Sequence, residues 1–171
     1  KVDRISPEAP VPIVNIQKEE SRLGGASNVA NNIVSLGGHS LLCGVIGHDL
    51  FGKEIERISR HKNIDTFLLK TSSPTITKAR IIGGKQQIVR VDYEDKSELN
   101  ADNKKLFRDT ISRILPEYDI LVISDYGKGL ISEDLCRYLI KLAHKYDKKV
   151  IIDPKGKNWE KYSGADIVTP N

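Results

Sequence analysis

No apolar run in the chain approaches the roughly 20 residues of an α-helical membrane span, and no signal-peptide pattern opens it. The phosphate-cradling run GxxxxGK followed by Ser or Thr is missing, as is GxGxxG, so P-loop and Rossmann dinucleotide readings lack support. There is no nucleophile elbow and no zinc-ligand spacing. Cysteine is scarce. Cys43 and Cys136 sit inside apolar patterns without CxxC spacing, which predicts reduced core thiols and a cytoplasmic protein. The histidines His39, His48, His61 and His144 show no ligand spacing and read as surface or loop residues. Internal repeats and low-complexity tracts are missing too.

What remains is a soluble globular composition. The 171 residues fit one domain with a real core, and 39% are hydrophobic against 29% charged. The net charge is +4. Its lysines are scattered rather than clustered with aromatics, so nucleic acid is not the expected partner. A pull toward anionic small molecules, such as nucleotides and sugar phosphates, accounts for the charge instead. No membrane partner is expected.

The most informative stretch runs from Gly24 to Gly38. Ala26, Val29, Ala30, Ile33 and Leu36 recur at i, i+3, i+4, i+7 and i+10, one stripe of an amphipathic helix. Gly37-Gly38 supplies the positive φ of a helix stop. Gly24-Gly25 leaves backbone N–H groups open at the start, and Asn28, one turn in, can donate and accept as sugar hydroxyls require. The spacing alone equally fits a buried helix with glycines for close packing.

Around this helix the chain reads in order. Residues 1–12 hold three prolines and predict an extended arm, with Ile13 to Gln17 a short strand. A strand is expected over Leu41 to Ile46, a helix over about Leu50 to His61, and a short strand over Thr66 to Leu69. Alternation on both sides of Gly83-Gly84 predicts a β-hairpin over Pro74 to Tyr93. Period two puts Ile76, Lys78, Arg80 and Ile82 on one face of its first strand. In the second, Gln86, Ile88, Arg90 and Asp92 share a face, and Gln87, Val89, Val91 and Tyr93 the other. A helix capped at Asn100 or Asp102 runs to Leu115. Strand–helix–strand follows: Ile120 to Ser124, covered on both faces, a helix capped by Ser132, then Val150 to Ile152 and Ile167-Val168.

Each of the last three strands ends in a polar cluster: Asp125-Tyr126-Gly127-Lys128-Gly129, Asp153-Pro154-Lys155-Gly156 and Thr169-Pro170-Asn171. Ligands of open parallel sheets bind outside the carboxyl ends of the strands, so the clusters would converge on one crevice. Singly, each Asp would only cap the next helix. Lys78, Arg80 and Arg90 on the hairpin are either a solvated face or a cationic cover for that crevice.

Residue identity adds to spacing. Gly-Gly-Ala-Ser-Asn-Val-Ala at 24–30, closing on Leu36-Gly37-Gly38, resembles the first signature of the PfkB (ribokinase-like) sugar kinases. RISPEAPVP at 4–12, PTITKAR at 74–80, QQIVRVD at 86–92, DYGKG at 125–129, DPKG at 153–156 and TPN at 169–171 are similar to the branch of that family that phosphorylates heptose 7-phosphate. The resemblance implies an α/β fold: a mainly parallel sheet covered by helices, with a small β lid. The lid segments would be about 10–18 and 75–93 within one partial kinase domain, 1–171. It further implies transfer of the ATP γ-phosphoryl group to C1 of D-glycero-D-manno-heptose 7-phosphate, with Mg²⁺, for the lipopolysaccharide core. Alternatives are another PfkB-type sugar or nucleoside kinase, or a non-catalytic sugar-phosphate-binding module.

Carried over residue by residue, the resemblance assigns Gly24, Gly25, Asn28, Lys78, Arg80, Gln87, Arg90, Asp125 and Lys128 to the sugar phosphate. It assigns Asp153, Lys155 and Asn171 to ATP. The family's Gly-Ala-Gly-Asp element, which supplies anion hole and base, is not in this sequence, nor is the first-strand Asp; Asp3 is not its equivalent. No catalytic base is therefore assigned here. A fragment, inactive alone, is expected, along with a homodimer through the lids and a fused nucleotidyltransferase domain.

Overall fold

The computed structural model describes residues 2–5, 12–84, 86–157 and 159–170, with the backbone only of 2–5 and 12. The order is β1 (Val2–Ile5), β2 (Pro12–Val14), α1 (Ala26–Ser35), β3 (Leu41–Gly47), α2 (Leu50–His61) and β4 (Asp65–Thr71), then β5 (Thr77–Gly83) and β6 (Gln86–Tyr93). It continues with α3 (Ala101–Ile114), β7 (Ile120–Ser124), α4 (Glu133–Lys145), β8 (Lys149–Asp153) and β9 (Ile167–Val168), with 3₁₀ turns at Leu115–Glu117 and Glu160–Tyr162.

Local chemistry sets the helix ends. Past α1, Gly37 takes φ 89°, its N–H donates to Val34 O, and Gly38 N–H donates to Ile33 O, a Schellman stop. Asp49 accepts from Gly52 N–H to start α2, and Asn100 accepts from Asn103 N–H to start α3. Ser132 sits at the start of α4, but its hydroxyl donates to Asp134 rather than capping.

Among the described residues the sheets form in four pieces. β3 and β4 pair in parallel, β7–β8–β9 form a parallel three-stranded sheet, and β1–β2 and β5–β6 are antiparallel pairs. The main core lies where α3 and α4 cover the three-stranded sheet, around Phe107, Ile111, Leu135, Leu139, Val150 and Ile152. A smaller one joins α1 to β3 through Ala30, Leu42 and Ile64. Burial pushes the Cys43 thiol up to about 12 and Cys136 up to about 11, and both are unpaired, as inert core thiols should be.

Several expectations need correction. Of the stretch expected as an extended arm, residues 1 and 6–11 lie outside the described residues, and Val2–Ile5 is a strand. Val2–Ile5 pairs with Pro12–Val14, so the strand expected at Ile13 to Gln17 is shorter and does not extend the hairpin into a three-stranded lid. A partner so near in sequence costs less loop-closure entropy than the distant hairpin. In the hairpin, Thr77↔Tyr93, Ala79↔Val91 and Ile81↔Val89 are opposed, but a bulge then pairs Ile82 with Gln87. Opposed residues share a face, so Gln87 joins Arg80 and Arg90 rather than Val89. β7 is not covered on both faces: Ile120 and Val122 remain 48% and 38% exposed, because α3 and α4 pack only on the face of Leu121 and Ile123. Leu36, expected on the apolar stripe of α1, is exposed past the helix end.

Candidate functional site

The three polar clusters do lie side by side. β8 is hydrogen-bonded to both β7 and β9, Asp125 N–H donates to Asp153 O, and Thr169 N–H donates to Ile152 O. All three strands therefore end at one edge of the sheet, where parallel strands expose ligand-binding groups. Asn171 itself lies outside the described residues.

The loop after β7, Asp125–Gly129, is the hub. Gly127 and Gly129 take φ of 63° and 88°, the left-handed bends that let the loop fold back over the strand end. The Tyr126 ring packs on Gly25 at the start of α1, where a Cβ would stand 3.4 Å from Cε2. Gly127 faces Lys155 at the same distance, and Gly129 abuts the backbone of Lys96 and Ser97, just past β6. Lys128 forms an ion pair with Glu94. One loop thus touches α1, the hairpin exit and the segment after β8.

Asp125 is 4% exposed and fully engaged within the protein. Oδ2 accepts from Lys161 Nζ at 2.6 Å and from the Tyr162 hydroxyl at 2.7 Å, while Oδ1 accepts from Gly127 N–H at 2.7 Å. The Tyr162 hydroxyl in turn accepts from Lys155 N–H at 3.0 Å. Burial works against the Lys161 charge, but the bond and charge of Asp125 outweigh it, so the ammonium titrates above its ordinary range. Burial, with the bond to Asp125, pushes the Tyr162 phenol up. Sequence reasoning missed Lys161 and Tyr162, since a Lys-Tyr pair in a turn carries no local signal of a buried carboxylate 36 residues away.

The hairpin's cations are partly neutralised by acids the sequence reading did not single out for the site. Lys78 Nζ lies 2.8 Å from Asp92 and 3.7 Å from Glu94, and the Arg90 fork bonds Asp92 at 2.9 and 3.1 Å. Lys78 and Arg90 hold the Asp92 carboxyl below its usual range; Lys128 does so for Glu94, with Lys78 and Lys96 adding to it. Arg80 stands directly across from Arg90, and its guanidinium reaches Lys78 O at 3.4 Å. Like charges facing each other favour an anion between them.

An open cleft is lined by the start of α1, the hairpin and the loop after β7. Gly24, Gly25, Lys78, Arg80, Asp125, Lys128 and Asp153 line it; Asn28, Gln87, Arg90 and Lys155 do not. Asn28 is exposed on α1, with its N–H donating to Gly25 O. Gln87 is exposed near the hairpin tip. Among the described residues no three His, Cys, Asp or Glu side chains gather as a metal site, and no helix is long and apolar enough to cross a membrane.

A parallel α/β body here brings its strand ends, a glycine-led helix and a basic hairpin to one cleft. The pfkB family carbohydrate kinase profile matches residues 1–171, and the chain belongs to that family. It is 47% identical over 173 residues to the Bifunctional protein HldE of Helicobacter pylori (strain P12), covering 100% of this chain and 38% of that protein. It is 42% identical over 171 residues to the Bifunctional protein HldE of Sulfurimonas denitrificans, covering 99% of this chain and 36% of that protein. The chain thus spans less than half the length of these relatives.

Solved structures agree on the ribokinase-like fold. The possible 1-phosphofructokinase of Thermotoga maritima superposes with a TM-score of 0.76 at 21% identity, over 100% of this chain and 54% of that one. The tetrameric inhibited form of Escherichia coli phosphofructokinase-2 gives 0.68 at 18%, over 99% and 55%.

Proposed function

We propose that this chain is part of an ATP-dependent kinase that phosphorylates C1 of D-glycero-D-manno-heptose 7-phosphate. The observation that carries the reading is the 47% identity to a bifunctional HldE along the whole chain. On the hairpin wall of the cleft the Arg80 guanidinium reaches only a backbone carbonyl among the described residues, while Lys78 and Lys128 are paired with Asp92 and Glu94, so Arg80 is the cation that supports an acceptor already phosphorylated. In this reading Gly24, Gly25 and Asn28 meet the sugar, and the hairpin cations meet its 7-phosphate. Asp153, Lys155 and Asn171 serve the nucleotide end. Asp125, held by Lys161 and Tyr162, shapes the strand end beneath the sugar.

The C1 oxygen forms a bond to the γ-phosphorus, the bond to the β-phosphate oxygen breaks, and ADP leaves; the hydroxyl proton goes to a base that no described residue supplies. In this reading Mg²⁺ enters as the ion of the ATP phosphates. The product would feed the lipopolysaccharide core, in the cytoplasm, with a nucleotidyltransferase domain fused to the kinase.

A homodimer through the hairpins belongs to the same proposal. Val89 and Val91 lie on one face at 42% and 38% exposure, and a two-stranded hairpin is marginal without a covered face. Charged substitutions at both should shift the full-length protein toward monomer in sedimentation; an unchanged assembly removes the dimer.

The deciding experiment incubates the full-length protein with ATP and heptose 7-phosphate and follows ³¹P NMR. A new anomeric phosphate resonance at C1 is expected. No turnover, with fructose 6-phosphate or an unphosphorylated sugar accepted instead, overturns the assignment.

A further inference from the structure

We infer that Asp49 and Thr75 clamp the β5–β6 hairpin across the cleft and so act as positioning residues for the acceptor phosphate; this rests on the kinase reading above. The β3–β4 and β7–β8–β9 sheets share no ladder among the described residues. The hairpin stands with one foot on each.

The first foot is Thr75, 2% exposed. Its N–H donates to Asp49 Oδ2 at 2.7 Å and its hydroxyl to Asp49 Oδ1 at 2.7 Å, while the same hydroxyl accepts from Gly47 N–H at 2.8 Å. Asp49 Oδ1 also accepts from Gly52 N–H at 2.8 Å, so one carboxylate both starts α2 and holds the strand that leads into the hairpin. The knot is sterically closed: a Cβ on Gly47 would come within 2.6 Å of Ser73 O, and one on Gly52 within 2.6 Å of Gly47 O. Removing one member of this largely enclosed set leaves the others short of partners, Thr75 being buried and Asp49 partly so.

The second foot stands on the β7 loop. Lys128 pairs with Glu94, and Gly129 abuts the Ser97 backbone. Asp95 joins the two feet, taking the Ser73 hydroxyl at 2.7 Å as well as Ser97 N–H at 2.8 Å and the Ser97 hydroxyl at 2.7 Å. With both feet fixed, Lys78 and Arg80 stay on the cleft wall. Loosening the first foot swings them away from the acceptor phosphate and leaves the nucleotide end, at the tip of β8, untouched.

The test uses the full-length protein with Thr75→Val, which keeps shape and loses the hydroxyl, and Thr75→Ser, which keeps the hydroxyl. Thr75→Val should raise KM for heptose 7-phosphate about tenfold while KM for ATP moves less than about twofold, and Thr75→Ser should match wild type. Equal rises in both constants, no rise in either, or failure of the serine to rescue overturns the inference. If Thr75→Val does not fold, Ser73→Ala at the tie between the feet must give the same one-sided rise, and its lack has the same force. Hydrogen exchange over residues 77–83 separates this inference from the kinase reading. Exchange faster in Thr75→Val than in Thr75→Ser keeps the clamp even if wild type ignores heptose 7-phosphate, and equal exchange removes it even if wild type is an active heptose kinase.

Discussion

The ring of Tyr126 rests on the backbone of Gly25, so that a Cβ at position 25 would meet Cε2 at 3.4 Å and Cδ2 at 3.6 Å. This contact joins the start of α1 to the loop that follows β7, the two places where sugar contacts are assigned.

Gly25→Ala places a side chain at φ 54° and ψ −136°, a conformation that L side chains rarely adopt and that costs on the order of 1–3 kcal/mol. The melting temperature should fall by a few degrees, and KM for the sugar phosphate should rise. A variant with wild-type melting and kinetics would mean that Gly25 is free to change and that the contact with Tyr126 is incidental.

Arg80 and Arg90 differ in what already holds them. The Arg90 fork is occupied by Asp92, whereas the Arg80 guanidinium reaches only a backbone carbonyl in the interactions described. Arg80→Ala should weaken sugar-phosphate binding more than ATP binding, by on the order of 1.5–3 kcal/mol for a lost charge-assisted bond, and Arg90→Ala, outside the cleft lining, should act in the same direction. Arg80→Ala should show the larger loss. Unchanged KM for heptose 7-phosphate in both variants returns the pair to the role of a solvated face.

Lys161→Met leaves Asp125 with Tyr162 and Gly127 as its remaining donors. Because Asp125 is almost wholly buried and Lys161 only partly so, the loss should be on the order of 2 kcal/mol, below the figure for a fully buried pair. Chemical denaturation measures it. A change under about 0.5 kcal/mol, the ordinary level of surface substitutions, would place the pair in solvent.

Acid should loosen the hairpin's feet. The Ser97 hydroxyl, the Ser97 N–H and the Ser73 hydroxyl bring the Asp95 carboxyl down from 3.8 to about 2. A carboxylate lowered on folding contributes stability above its unfolded value and loses it as pH falls toward the folded one. The Asp95 contribution should therefore be complete above about pH 5 and fade between about pH 4 and 2. Melting temperatures across that range should fall less steeply in Asp95→Asn than in wild type. Parallel curves would assign the acid sensitivity elsewhere, with Asp166, held low by Lys149, Val150 N–H and His144, the next to change.

Much of the architecture could be read from local pattern because its causes are local. The α1 stop at Gly37, the Asn100 cap of α3 and the turn between β5 and β6 each depend on residues within a few positions of one another. The three strand-end clusters were visible as motifs, and their convergence followed from parallel pairing. The bulge that moves Gln87 to the face of Arg80 and Arg90 was not visible. Period two is blind to one unpaired residue, and its position depends on how the two strands meet.

The family, the fold class, the helix boundaries and the residue types gathered at the ends of β7 and β8 are legible along the chain, since periodicity, caps and motif order are written in neighbouring residues. Folding, by contrast, brings Lys161 and Tyr162 onto Asp125, sets Asp92 and Glu94 against part of the hairpin's charge, and closes Asp49 on Thr75. These are pairings between side chains tens of residues apart. Burial makes them strong, and burial exists only once the chain has closed around them.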